Sequence, residues 1–232
     1  MSSYVFPPAE TPSVPVRGSS ARYAVSRIFC VGRNYAAHAR EMGSDPTREP
    51  PFYFTKPASA ITPSGSTIPY AAGTKNLHYE MELVIAIGAP VFKVTPEAAR
   101  AAVWGYAAGL DMTRRDLQNE AKATGRPWDT GKGFENSAVI TDLVRVQDIG
   151  WLDKGAITLS VNGVEKQRGD LSDMIWSVPE IVANLSQFYH LHPGDLIYTG
   201  TPEGVGPVVT GDVISGHIEG LGDLSLSIGA PD

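Results

Sequence analysis

Residues 78–88 read HYEMELVIAIG, an apolar run of strand length that closes on a glycine yet opens with two carboxylates, Glu80 and Glu82. Side chains alternate faces along a strand, so residues two apart point the same way and their charged ends approach each other. Two like charges at that spacing repel. Either this end of the strand is a solvated edge, or a cation sits between the carboxylates and turns repulsion into chelation. A third acid, Asp111, ends the apolar stretch YAAGLDMT (residues 106–113), where a second strand is expected to run out before a helix. Two glutamates on one strand face and an aspartate at another strand's end would offer three oxygen ligands. That set suits a hard divalent cation, Mg²⁺ or Mn²⁺, with positions left open for water or substrate. The competing reading makes Asp111 a helix cap. His78 has the parity of the two glutamates, but a hard cation favours oxygen, so His78 is expected to orient a ligand rather than be one.

Around this segment the chain reads as an α+β fold dominated by β-structure. Strands are expected at RIFCVG, PFYFTKP, MELVIAIG, AAGLDMT, ITLSVNG with VEKQRG, DLIYTG and GDLSLSIG, each short, β-branched or aromatic, and bounded by turn residues. The pair Asn162-Gly163 marks a tight hairpin. Helices are expected at residues 34–42, 95–104, 113–124 and 178–190, several with a polar cap, a proline in the first turn or a glycine just past the end. Residues 1–25, with Pro7, Pro8, Pro12 and Pro15 interleaved among YVF and VPV, read as an extended arm or edge strand; residues 26–232 read as one catalytic body. No internal repeat is present.

Composition excludes several functions. The 232 residues carry a formal charge of -6, and no run of Lys or Arg is longer than Arg114-Arg115, so nucleic acid is not an expected partner. The apolar stretches fall short of the roughly 20 residues a membrane helix needs, and MSSYVFPPAETPSVP lacks the basic start and apolar centre of a secretion signal. The single cysteine, Cys30 in IFCVG, cannot form an internal disulfide; it reads as a buried small hydrophobe in a cytoplasmic protein. His190, His192 and His217 have no acidic neighbour at ligand spacing and are expected on the surface.

A second constellation lies in GRNYAAHAREMG (residues 32–43). With Asn34 as the helix cap, His38 and Glu41 stand three apart on one face, and the carboxylate can accept a hydrogen bond from the imidazole. A base held by its orienter can activate water. An ordinary exposed helix carries the same pair.

The runs GRNYAAHAREMG, FTKPASAI, NLHYEMELVIAIG, GYAAGLDMTRRDLQ, GRPWDTGKGF and GDLIYTGTPEGVGP, in this order and spacing, resemble the fumarylacetoacetate hydrolase family, in particular its acylpyruvase and fumarylpyruvate hydrolase branch. The resemblance covers nearly all of the chain from Arg27. It implies a mixed β-sandwich roll of the C-terminal-domain type, a homodimer, a role in aromatic catabolism, and Mg²⁺ or Mn²⁺ held by Glu80, Glu82 and Asp111. It further implies that His38 and Glu41 sit on a mobile lid over residues 33–49, that Arg115 and Gln118 bind substrate, that Lys132 is an active-site lysine, and that Thr201 belongs to a Thr-Gly-Thr-Pro substrate loop.

The implied chemistry is cleavage of the bond between carbons 3 and 4 of a 2,4-dioxo acid, with fumarylpyruvate giving fumarate and pyruvate. His38 would deprotonate the attacking water, Lys132 would stabilise the oxyanion, and Arg115 with Gln118, one helical turn apart, would clasp the substrate carboxylate. Glycines 200, 204 and 206 around Thr201 would let backbone approach the ligand, or serve only a tight loop. Decarboxylation of oxaloacetate and isomerisation or hydration of 2-hydroxydienoates are the alternatives within the family. A non-catalytic acid-binding protein is the alternative of another class, and the intact set of acids, His38 and Lys132 argues against it.

Overall fold

The computed structural model describes residues 3–41 and 49–232. Its central feature is an eight-stranded mixed sheet in the order β4 (Phe52–Lys56), β3 (Arg27–Gly32), β15 (Asp195–Tyr198), β8 (Met81–Ile87), β9 (Val103–Asp111), β11 (Ala138–Ile140) and β5 (Ile61–Pro63), with β12 (Val144–Arg145) also paired to β9. A five-stranded sheet packs against it, ordered β14 (Val164–Asp170), β13 (Ala156–Val161), β17 (Val213–Ile218), β18 (Gly222–Gly229) and β6 (Ser66–Pro69).

All seven residues of β8 are buried. The alternation of the strand divides them between two cores. Met81, Leu83, Ile85 and Ile87 join the larger core, where Ile157, Leu159, Ile214 and Leu226 arrive from the five-stranded sheet. Val84 and Ala86 face a smaller core with Ile28, Cys30, Ala107, Ala138, Leu196 and Tyr198. A strand covered on both faces reads as a continuous apolar run, which is why residues 83–87 show no polar alternation. Glu82 has the parity of Val84 and Ala86, so the two-residue period aims it toward the smaller core.

Within that smaller core the strands approach closely at Gly109. A Cβ on Gly109 would lie 2.6 Å from Val84 Cγ2 and 2.7 Å from the Tyr198 ring. Gly109 is also the register partner of Glu82. Residues from the N-terminal segment seal the same core: β1 (Ser13–Pro15) and β2 (Arg22–Ala24) pair as a hairpin, Val14 and Val25 are buried there, and Leu143 N–H donates to the Pro15 carbonyl at 2.9 Å.

A three-stranded sheet of β10 (Thr113–Arg114), β7 (Leu77–Tyr79) and β16 (Gly206–Val208) gathers the remaining site segments. It ties the strand before Glu80 to the chain after Asp111 and to the end of the 199–206 loop. The helices are α1 (Ala36–Glu41), α2 (Pro96–Arg100), α3 (Arg115–Thr124), α4 (Asp129–Lys132), α5 (Val146–Ile149) and α6 (Val178–Leu185). The last carries a reciprocal capping box between Ser177 and Glu180 and buries Val178, Ile181, Val182 and Leu185.

Several boundaries differ from the sequence reading, each for a local reason. The expected helix over 95–104 stops at Arg100, because Val103 pairs with Ile87 and opens β9. Residues 113–114 form β10, and α3 begins only at Arg115. The helix expected to reach residue 190 ends at Leu185, where the Ser186 hydroxyl turns back to the Ala183 carbonyl at 2.7 Å. Strand β17 carries Gly216 in its middle, which hides its pattern in the sequence although the strand runs unbroken; a Cβ there would lie 2.5 Å from Met81 Sδ. His217 does have an acidic partner, Asp223 at 2.7 Å, brought opposite it by the β17–β18 register. The Asn162-Gly163 hairpin is present, with both residues at positive φ (52° and 77°). Of the lid expected over residues 33–49, the stretch 42–48 lies outside the described residues.

The close approach at Gly109 makes a direct prediction. Gly109→Ala should cost roughly 1–3 kcal/mol, the usual scale of overpacking a filled core, read as a lower urea midpoint at unchanged m-value. Wild-type stability in this variant would show that the Tyr198 ring yields freely.

Candidate metal centre and active site

Glu80 occupies the break between β7 and β8, where its carbonyl accepts the Asp111 N–H at 2.9 Å. With Glu82 two residues on, this register brings one carboxylate oxygen from each of Glu80, Glu82 and Asp111 within 4.8 Å of one another. The three residues are 5%, 2% and 0% exposed. Three buried carboxylates are prohibitively costly unless cations answer them.

Lys132 supplies most of the answer. Its Nζ donates to Glu80 Oε2 at 2.8 Å, to Asp111 Oδ2 at 2.6 Å and to Thr113 Oγ1 at 2.6 Å. Burial opposes the ammonium charge, but Asp111 and Glu80 outweigh it and hold the Lys132 pKa above its ordinary value. Lys56, also buried, comes within 2.8 Å of Asp111 Oδ1, while its protons serve the carbonyls of Met112 and Lys132. Arg115 forms an ion pair with Glu80 Oε1. Burial alone would raise the Glu80 pKa; Lys132 and Arg115 hold it well below the usual carboxylate range.

Glu82 is the exception. Burial first, then the negative charges of Asp111 and Glu80, push its pKa well above the ordinary value, against a hydrogen bond from Gly200 N–H at 2.8 Å. The cluster is thus short of positive charge at Glu82. An all-oxygen, buried donor set with that deficit fits a hard divalent cation.

Arg115 and Gln118 share the buried face of α3, with Arg115 Nη1 donating to Gln118 Oε1 at 2.6 Å. His78 stands behind Arg115 rather than on the carboxylates. Its Nδ1 is 3.5 Å from Arg115 Nε and its Nε2 is 2.9 Å from Asn76 Oδ1. Burial and the Arg115 charge push the His78 pKa down to about 4, so the ring is neutral.

His38, on α1, is 6% exposed, and its Nδ1 lies 3.1 Å from Glu41 Oε2. Burial lowers its pKa, with Glu80 and Glu41 pulling the other way. The Glu41 carboxylate also accepts Gly204 N–H at 3.2 Å, joining α1 to the 199–206 loop. Asn34 does not cap α1 as the sequence suggested. Its Nδ2 donates to the Thr199 and Trp176 carbonyls at 2.8 and 3.0 Å and its Oδ1 accepts Trp176 N–H, fixing where the helix begins by long-range bonds. Gly200, at φ 98°, passes so close that a Cβ there would lie 2.8 Å from Asn34 Cβ.

Two residues of this centre escaped the sequence reading, Lys56 and Gln167. Gln167 is 1% exposed; its Oε1 accepts Met81 N–H at 3.0 Å, and its Nε2 donates to Thr201 Oγ1 and the Pro202 carbonyl, both at 2.9 Å. It joins the metal-site strand to the Thr201 loop. The available signal was register: Gln167 sits opposite Leu159 on the inward face of a hairpin whose other β14 residues are mostly charged.

His38, Glu80, Glu82, Arg115, Gln118, Lys132 and Thr201 line one cavity together with Val31, Gly32, Arg33, Phe54, Lys122 and Trp128. Glu41 and Asp111 stand directly behind it through His38 and Lys132. Residues 27–228 match the fumarylacetoacetate (FAA) hydrolase C-terminal family. The chain belongs to the fumarylacetoacetate hydrolase family. Within it, fumarylpyruvate hydrolase of a Ralstonia species is 54% identical over 185 residues, covering 80% of this chain and 96% of the relative. Human mitochondrial oxaloacetate tautomerase FAHD1 is 43% identical over 205 residues, covering 88% and 92%. The crystal structure of fumarylpyruvate hydrolase from Pseudomonas aeruginosa in complex with Mn²⁺ and pyruvate superposes with a TM-score of 0.96 at 50% identity, covering 98% of this chain and all of that one. Fold class and family expected from the sequence therefore hold.

Replacing Gln167 tests the bridge. Gln167→Leu would leave the Met81 N–H and the Thr201 hydroxyl buried without partners, and should cost about 1–3 kcal/mol in chemical unfolding. Unchanged stability would mean that the loop re-pairs without it.

Proposed function

We propose that the chain is a metal-dependent hydrolase of 2,4-dioxo acids that cleaves fumarylpyruvate to fumarate and pyruvate, with Glu80, Glu82 and Asp111 holding Mg²⁺ or Mn²⁺. The observation that carries this reading is one cavity whose wall joins Glu80 and Glu82, with Asp111 directly behind them, to a carboxylate-held histidine. The relatives support it: the Ralstonia and Pseudomonas proteins are fumarylpyruvate hydrolases, the latter with Mn²⁺ and pyruvate.

When bound, the cation supplies Lewis acidity to the carboxylate and ketone of a 2-oxo acid. Everything else is work for the chain. Arg115 engages the oxygen of Gln118, which leaves the Gln118 amide protons as the end that can meet a substrate carboxylate. His38 donates Nδ1–H to Glu41, and this fixes the tautomer in which Nε2 is free to accept a proton. Nε2 takes that proton from a water as its oxygen adds to carbon 4. The Lys132 ammonium steadies the oxyanion in a site mostly closed to solvent. As the C3–C4 bond breaks, its electron pair passes to carbon 3, giving the enolate of pyruvate, and the proton held by His38 returns to carbon 3. Water thus ends as hydroxyl on the fumaryl carbon and hydrogen on pyruvate. Thr201, anchored by Gln167, offers a hydroxyl at the same wall. We place this chemistry in a cytoplasmic homodimer; a monomer in sedimentation at micromolar concentration would overturn the second half of that placement.

The decisive assay offers Mn²⁺-loaded protein fumarylpyruvate, acetylpyruvate and oxaloacetate, with and without EDTA. Pyruvate release from fumarylpyruvate should be fastest and should vanish with chelation. Preferential turnover of oxaloacetate would instead favour a tautomerase or decarboxylase, in keeping with the human relative. In His38→Ala the turnover should fall about 10²-fold or more, the scale of losing a general base, while calorimetric affinity for oxalate stays near normal. Near-normal turnover in that variant would assign water activation to another group.

A further inference from the structure

The cavity carries more positive charge than the pyruvyl end of a substrate requires. Lys132 and Arg115 are committed to the carboxylates Glu80 and Asp111. Two further cations line the same cavity, Arg33 and Lys122, and neither has a carboxylate partner among the described residues. Lys122 is half-buried. Burial, helped by the charges of Arg115 and Arg33, brings its pKa down to about 8. A cation held in this way gains most from an incoming anion.

Position gives that anion a distance. Arg115, Gln118 and Lys122 follow one another at three- and four-residue steps on α3 and therefore lie along one face. At the rise of an α-helix, Lys122 is displaced by about 10 Å along the axis from Arg115. Between these levels the wall is aromatic: the Trp128 and Phe54 rings stand 5.8 Å apart, and Lys122 Nζ sits 5.0 Å from the Trp128 ring centroid. Arg33 lines the same cavity from the chain just before the anchored Asn34, at φ 60°, a backbone conformation unusual for a long side chain.

We propose that Lys122, with Arg33, is the recognition site for a second carboxylate, at the far end of the substrate, and that this pair makes the enzyme selective for dicarboxylic 2,4-dioxo acids. The aromatic wall would flank the flat unsaturated carbons between the two charged ends. This inference rests on the acylpyruvate reading above and deepens it, because that reading alone leaves the distal group unrecognised.

The test compares Mn²⁺-loaded wild type with Lys122→Met, Lys122→Arg and Arg33→Met on fumarylpyruvate and on acetylpyruvate, which lacks the distal carboxylate. Methionine keeps the aliphatic stem against Trp128 and removes only the charge. The ratio of kcat/KM for fumarylpyruvate to that for acetylpyruvate should fall about 10- to 100-fold in Lys122→Met, the range for losing a hydrogen bond to a charged group. The fall should appear in KM, Arg33→Met should move the ratio in the same direction, and Lys122→Arg should retain most of it. Calorimetric binding of fumarate to the Mn²⁺–oxalate form is read in parallel, and should weaken by a similar factor in Lys122→Met. An equal loss on both substrates, or fumarate binding indifferent to Lys122, overturns the inference. Wild type that turns over neither acylpyruvate defeats the function proposed above; fumarate binding still decides whether Lys122 receives a carboxylate.

Discussion

Three carboxylates packed at the end of two central strands govern this structure. Together Glu80, Glu82 and Asp111 demand cations, and the fold supplies them from three places: Lys132 from a short helical turn, Lys56 from the edge strand and Arg115 from the start of α3; the remaining deficit at Glu82 is the one the proposed metal would fill. Each of these groups is held by other bonds to backbone or side chains, so the electrostatic balance also fixes the relative positions of β4, β8, β9, α3 and α4.

The sheet makes such a concentration of charge tolerable. Because β8 is covered on both faces, a two-residue period sends its larger side chains into the core shared with the five-stranded sheet and its smaller ones into the narrow interior that ends at the carboxylates. The glycine at 109 and the alanines at 86, 107 and 138 are what allow the strands to curl around the site.

Much of this was readable from the chain because it depends on short spacings. The Glu80–Glu82 parity, the three-residue step from His38 to Glu41, the α3 face carrying Arg115 and Gln118, and the Asn162-Gly163 turn all follow from local geometry. What was not readable depends on partners remote in sequence. Lys56 lies in a strand whose pattern looks ordinary, and only the sheet order shows that it reaches Asp111. Gln167 sits in a hairpin of charged residues, and its burial appears only once β14 is laid against β13. Asn34 has the right identity and position for a helix cap, yet stronger long-range partners at Trp176 and Thr199 claim it. Resemblance to a family ordered the local motifs, while the contacts that join them belong to tertiary structure.

One carboxylate, that of Glu41, divides its attention between the imidazole of His38 and the backbone N–H of Gly204. It therefore senses two segments at once, the helix that carries His38 and the loop that carries Thr201. A hydrogen bond tolerates displacement of only a few tenths of an ångström before it weakens, so the imidazole is correctly aimed only while both segments are docked. On the proposed mechanism base strength would be conditional: it would behave as a logical conjunction of two contacts, and a reactive water would not be generated over a half-assembled pocket.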